Sequence, residues 1–344
     1  MQCTNNLKQI GVGLHNYLDA NKTFPPQRTG DSHNTGVQWY RTSFSYHIAI
    51  LPFCEQQSAY DAIRTQAIGS DGVWAEYNDV TKTCFQVKAS YLACPSDSDS
   101  MMPDVSQNFF TRTNYGPCVG DAIRSNRVYY RRNERGFFGG GYGVMNGGAT
   151  SIVVRDTSDI IDGTSNTIAV AELATASVKS TNKIKGGLLG SWSNSAGSTY
   201  PTDVPSVCAA ARGTDDTTVF VTTGAGGGSP SAKGRGNYFH YDYPGFMDVQ
   251  TILPPNSPSC ASEYEGAYAG FYSASSFHSG GINALKADGS VLFISETIDC
   301  GSQNYDVATG TTANPSDGSQ PIGPSPFGVW GAMGSINGGE SVAQ

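Results

Sequence analysis

His278 and Asp288, with nine residues between them, bring a titratable ring and a carboxylate into one segment, the combination that general-base chemistry uses most. The sequence between them argues against a shared proton. Ile282 to Lys286 alternates as a strand, and five or six residues at ~3.3 Å rise place its two ends ~16–20 Å apart. Asp288-Gly289 therefore reads as a turn, and His278 with Gly280-Gly281 as the approach to the strand. Asp156, Asp159, Asp162 and Asn166 offer oxygen ligands for calcium, although not in the Asp-x-Asp-x-Asp-Gly order of an EF-hand. A turn with side-chain-to-backbone hydrogen bonds accounts for the same residues, Gly163 included. Asp97, Asp99 and Asp104 form a second acidic loop with the same two readings. Arg124, Arg127, Arg131, Arg132 and Arg135 interleave with Tyr129 and Tyr130, a pattern that pairs with anions and stacks on rings. In a chain of net charge −8 its expected use is a salt-bridged subunit contact.

Eight cysteines are scattered along the chain: Cys3, Cys54, Cys84, Cys94, Cys118, Cys208, Cys260 and Cys300. None belongs to a Cys-x2-Cys pair, and the closest two, Cys84 and Cys94, have nine residues between them, which argues against a zinc site. Disulfides suit an even count in an oxidising compartment, and buried free thiols are the alternative for some of the cysteines. Spacing leaves on the order of a hundred connectivities open. Enzyme signatures are missing: no Gly-x-Ser-x-Gly elbow, no His-Glu-x-x-His, no Walker lysine, no Gly-x-Gly-x-x-Gly between a strand and a helix. The chain is read as not an enzyme. Its 344 residues are 15% charged, with 42 glycines, a composition closer to an extracellular β-rich protein than to a cytosolic helical enzyme. The acidic balance also excludes nucleic acid as the main partner.

The elements that must position these residues begin with a helix. Leu7, Ile10, Leu14, Tyr17 and Leu18 lie on one narrow stripe at 100° per residue, and Asn21 with Pro25-Pro26 stops the pattern. The start has no signal, because Thr4 is followed three residues on by Leu7 rather than Glu or Gln. Gly11 and Gly13 flank the stripe at ~1 kcal/mol each relative to alanine, which close packing against the head or a neighbouring subunit explains. Pro52 is expected to open a second helix through about Thr65, and Val87 to Leu92 to form a strand. Strands are also expected at Ser151 to Val154, Thr167 to Leu173 and Gly186 to Trp192, with Asn146-Gly147 as a hairpin turn. The clearest hairpin pairs Ile282–Lys286 with Val291–Ser295 across Ala287-Asp288-Gly289-Ser290. Residues 194–262 read as a loop-rich surface insertion.

Cys3-Thr4-Asn5-Asn6-Leu7-Lys8-Gln9-Ile10-Gly11 and Thr23-Phe24-Pro25-Pro26 resemble the start of a family of pilin-like surface proteins best known from planctomycete bacteria, also catalogued as a type of solute-binding protein. Ile50 to Gln57, Cys94-Pro95-Ser96-Asp97, Asp162 to Thr167, His278 to Val291 and the closing Gly328-Val329-Trp330 with Gly338-Gly339-Glu340 resemble the same family, in family order. The resemblance implies an α+β fold: a pilin-type spine helix, of which residues 1–24 are the second half, on an antiparallel β-sheet head at 25–344 with long loop insertions. It implies an upstream apolar half with a prepilin cleavage site, since a spanning helix needs ~20 apolar residues and this sequence holds no such run. The membrane is met through that missing helix alone. Two pairings are guessed, Cys3 with Cys94 and Cys208 with Cys260; Cys54 stands where the resemblance implies an apolar residue and is expected to be a bridge particular to this chain.

The function this implies is that of an exported structural subunit of a cell-surface filament or assembly, meeting copies of itself through the spine residues Leu7, Ile10, Leu14, Tyr17 and Leu18. His278, Asp288, Gly289, Asp162 and Gly163 are then structural motif residues, and no cofactor is required beyond the calcium alternative at Asp156, Asp159 and Asp162. The rival reading is a surface-anchored module for glycans or small solutes, with a concave site drawn from Trp39, Tyr40, Trp74, Tyr129, Tyr130, Trp192, Tyr238 and Tyr241.

Overall fold

The computed structural model describes residues 1–29, 44–67, 83–100, 111–121, 135–138, 143–144, 150–151, 154–177, 182–190, 204–221, 229–231, 234–261, 270–304 and 323–340. Helix α1 spans Gln2–Asn21, as its apolar stripe requires. No side chain caps its start. At its end Lys22 turns into the left-handed region (φ 63°) and donates its N–H to Leu18 O, closing the last turn before the proline pair. Leu7, Ile10 and Leu14 are buried against the rest of the same chain, and Tyr17 and Leu18 are half-buried. The two glycines permit the approach. A Cβ on Gly11 would come 3.1 Å from Leu285 Cδ1, and one on Gly13 would come 2.5 Å from Cys54 Sγ.

Beneath α1 lies a five-stranded sheet: β1 (Tyr115–Gly120), β2 (Ile168–Glu172), β3 (Val249–Gln250), β4 (Gly281–Lys286) and β5 (Val291–Ser295). Its order is β5-β4-β2-β1-β3, and every pairing is antiparallel except β1 with β3. The β4–β5 hairpin has the register expected from its alternation, Ile282 opposite Ile294 and Leu285 opposite Val291. Neighbouring residues on β4 point to opposite faces, so Leu285 joins the core under α1, while Ile282 and Ala284 join a second core with Trp330 and Met333 of helix Gly328–Gly334. Being covered on both faces, β1 and β2 are buried throughout, which is why β2 reads as an apolar run. The architecture is α+β.

Several elements differ from the sequence expectation. The second helix begins before Pro52: α2 covers Tyr46–Ile50, a 3-10 turn covers Leu51–Cys54, and α3 covers Gln57–Gln66. Glu55 breaks the run by adopting a left-handed conformation (φ 62°). Val87 to Leu92 is not a strand; Ser90–Leu92 forms a 3-10 turn whose Tyr91 and Leu92 are buried, so burial rather than sheet pairing explains the apolar residues. Residues 194–262 are not set apart as a surface insertion. Phe239, Phe246 and Met247 lie in the main core and Val249–Gln250 pairs with β1. Gly143–Val144 and Thr150–Ser151 pair as a hairpin would; Asn146-Gly147 lies outside the described residues.

Candidate functional site

The first turn of α1 is tied to the turn after the Ser90–Leu92 segment by the disulfide Cys3–Cys94. That turn is held from beneath. Cys94 N–H donates to Asn114 Oδ1 at 2.7 Å, and Asp97 N–H to Cys94 O at 2.9 Å. Asp97 is buried, and its Oδ2 accepts from Asn114 Nδ2, Thr175 N and Thr175 Oγ1. Its Oδ1 accepts from Asp99 N–H, so the acidic loop there is a hydrogen-bonded turn; Asp104 lies outside the described residues. On the other side of the bridge, burial raises the Tyr115 hydroxyl well above its ordinary value. It stays a donor, facing Cys3 O at 3.4 Å and accepting from Asn6 Nδ2.

The last residue of β2, Glu172, is buried at 1% exposure beside this bridge. Asn283 fixes it from β4: its N–H donates to Oε2 at 2.8 Å and its Nδ2 to Oε1 at 3.0 Å. His278, from the approach to the hairpin, completes the group. Its Nε2 lies 3.3 Å from Glu172 Oε1 and 3.7 Å from Cys94 Sγ, and its Nδ1 lies 3.4 Å from Ser96 Oγ. The ring therefore sits between a serine and a buried carboxylate against a disulfide. Among the described residues, Cys3, Cys94, Glu172 and His278 are the group whose ligand atoms all lie within 4.8 Å of one another. Glu172 escaped the sequence reading. A carboxylate closing the apolar run Ile168 to Ala171 was the available signal, since a charge carried into a core must find partners.

Asp288 belongs to the other end of β4, as the strand length predicts. Its Oδ1 accepts from Ser290 N–H and Ser290 Oγ, and Gly289 takes φ 86° to close the turn. Around that turn the remaining motifs meet. Ala287 N–H donates to Thr167 O and Asp288 N–H to Thr164 O, so the Asp162-to-Thr167 turn clasps the hairpin tip. Asp162 in turn accepts from Gly338 N–H at 2.6 Å and Gly339 N–H at 2.9 Å. His15 of α1 reaches the same tip, its Nε2 lying 3.0 Å from Ala287 O.

The calcium alternative finds no convergence there. Asp156 and Asp159 cap each other's backbone around the 3-10 turn Thr157–Asp159, while Asp162 faces the C-terminal segment. Two disulfides form among the described residues, Cys3–Cys94 and Cys208–Cys260, the two pairings guessed from the sequence. Cys54, Cys118 and Cys300 are buried thiols rather than bridge halves. Burial pushes Cys54 up to about 11 and Cys118 and Cys300 to about 12, so all three stay protonated. Cys54 fills the space opposite Gly13 instead of bridging. Cys84 is buried and outside both bridges. Of the arginine-rich run only Arg135 is described; it is buried and pairs within the chain, Nε to Asp121 Oδ1 at 2.5 Å. Tyr238 and Tyr241 are buried in the main core, whereas Trp39, Tyr40, Trp74, Tyr129, Tyr130 and Trp192 fall outside the described residues.

A disulfide-stapled N-terminal helix on a mainly antiparallel sheet, with its motif turns gathered at the two ends of β4, defines a helix-on-sheet α+β protein. The family model SBP_bac_10, described as a protein of unknown function (DUF1559), matches residues 1–301, and the chain belongs to that family. Neither a curated protein nor a solved structure matches it.

Proposed function

We propose that this chain is an exported, pilin-like structural subunit of a cell-surface filament or assembly, and that it is not an enzyme. The observation that carries the reading is α1 itself: a 20-residue helix laid along the head, buried on one stripe and covalently fixed to the head at its first turn. A helix held in this way is a fixed strut. The two disulfides suit an oxidising exterior. The stripe residues Leu7, Ile10 and Leu14 are consumed inside the subunit, so contact between copies falls to the outward face, where Asn5, Lys8, Val12 and Asn16 are exposed. No helix among the described residues is long and apolar enough to cross a membrane, so α1 serves here as a docked element.

Electron microscopy of the native protein on the surface of its own cells tests the reading. Ordered filaments or arrays carrying this head are expected, and a Val12→Cys variant should cross-link between copies in them under mild oxidation. Isolated single copies, with no cross-link between chains, would overturn it.

A further inference from the structure

We propose that Cys3, Cys94, Glu172 and His278 form a redox-gated zinc site, in which reduction of the disulfide frees two thiolates that hold one zinc ion together with His278 Nε2 and Glu172 Oε1. The zinc then replaces the covalent staple between α1 and the head. These four residues come from separate elements and need no Cys-x2-Cys spacing to meet. A tetrahedral zinc site with bonds of ~2.0–2.3 Å has ligand–ligand edges of ~3.3–3.8 Å. Three edges already have about that length: His278 Nε2 to Glu172 Oε1 is 3.3 Å, His278 Nε2 to Cys94 Sγ is 3.7 Å, and Cys94 Sγ to Glu172 Oε1 is 3.9 Å. The bonded sulphurs must separate, and Cys3, in the uncapped first turn of α1, already keeps its Sγ within 4.8 Å of the other ligand atoms.

The outer shell is in place as well. Asn283 holds Glu172 through two hydrogen bonds, and Ser96 Oγ stands at His278 Nδ1, positioned to take its N–H and leave the Nε2 lone pair facing the sulphurs. Asn114 orients Cys94 by accepting the Cys94 backbone N–H at its Oδ1. Glu172 is a carboxylate sunk beside apolar sulphur, and a cation at this point offsets its charge. The His278 side chain is 24% exposed and gives an ion its path in.

The chemistry balances with a water-soluble phosphine as reductant. The S–S bond breaks, and the phosphine gives up two electrons and becomes its oxide with the oxygen of one water. That water's two protons go to the thiols, and zinc binding releases them.

The experiment uses the whole chain, with and without phosphine treatment, titrated with cobalt(II) under nitrogen and then with zinc. The reduced chain is expected to bind one cobalt with thiolate-to-metal charge-transfer and tetrahedral d–d bands, displaced by zinc; the oxidised chain should show neither. Cys3→Ser/Cys94→Ser should abolish the bands although every other cysteine remains. Because that variant also removes the staple, His278→Ala and Ser96→Ala supply the second arm. His278→Ala should lose the tetrahedral spectrum, and Ser96→Ala should weaken affinity ~10-fold or more. A reduced chain without tetrahedral bands, bands that survive in the double serine variant, or an unchanged spectrum and affinity in His278→Ala would each overturn the proposal.

Discussion

Removing the Cys3–Cys94 bridge separates two contributions to the docking of α1. The bridge joins residues 91 apart, and the chain-entropy relation assigns it ~4.6 kcal/mol. Cys208–Cys260, with a separation of 52, is assigned ~4.1 kcal/mol by the same relation. The apolar contribution is independent of the bridge: Leu7, Ile10 and Leu14 are almost wholly buried, and each supplies ~1.5–3 kcal/mol as an upper estimate. A Cys3→Ala/Cys94→Ala variant should therefore fold with α1 still docked and lose ~3–5 kcal/mol of global stability. The assay is urea unfolding in the presence of a chelator, with amide hydrogen exchange of α1 measured alongside. Exchange in α1 should rise in step with exchange in β2 and β4, because one cooperative unit has been weakened. A loss below ~1 kcal/mol would refute the entropic assignment. Fast exchange confined to α1, with the sheet still protected, would show that the covalent bond rather than apolar burial holds the helix in place.

Gly13→Ala places a Cβ 2.5 Å from Cys54 Sγ and should cost ~1–3 kcal/mol in chemical unfolding despite the better helix propensity, and Gly13→Ala/Cys54→Ala should recover most of it. His47 is wholly buried, its Nε2 2.9 Å from Tyr115 O, and burial lowers its pKa from 6.5 to about 3. Between those values the unfolded chain binds a proton that the folded chain refuses. Its contribution is therefore full above pH 6.5 and falls by ~1.4 kcal/mol per unit as pH drops towards 3, a slope that unfolding at graded pH should show and His47→Gln should flatten. Asp121→Ala removes the carboxylate that pairs with Arg135 Nε and Nη2 in the interior and should cost ~3–5 kcal/mol, read by thermal and urea unfolding, whereas an exposed pair such as Lys183–Asp216 should cost under ~1 kcal/mol.

Local order was legible where one segment carries its own pattern. The stripe from Leu7 to Leu18 and the stop at Asn21 define α1, and the alternation of Ile282 to Lys286 around Asp288-Gly289 defines the hairpin, because periodicity and turn chemistry are set by neighbours in the chain. The same locality misled at Pro52 and at Val87 to Leu92. There the main core decides, recruiting Tyr46, Ile48 and Ile50 ahead of the proline and burying Tyr91 and Leu92 without a strand partner.

The sequence by itself determined helix α1, the β4–β5 hairpin, the wide separation of His278 from Asp288 by strand length, and the glycines that let α1 approach the head. Tertiary structure alone decided what His278 faces. Residues 3, 94, 172 and 278 converge only because the first turn of α1, the turn after Ser90–Leu92, the end of β2 and the approach to β4 meet in space. No local spacing encodes such a meeting, since it depends on strand order and on which face of β4 the helix covers. The buried Glu172 and the fates of Cys54, Cys118 and Cys300 follow from the same cause: burial and partnership belong to the packed chain, and side-chain type sets only what each would cost.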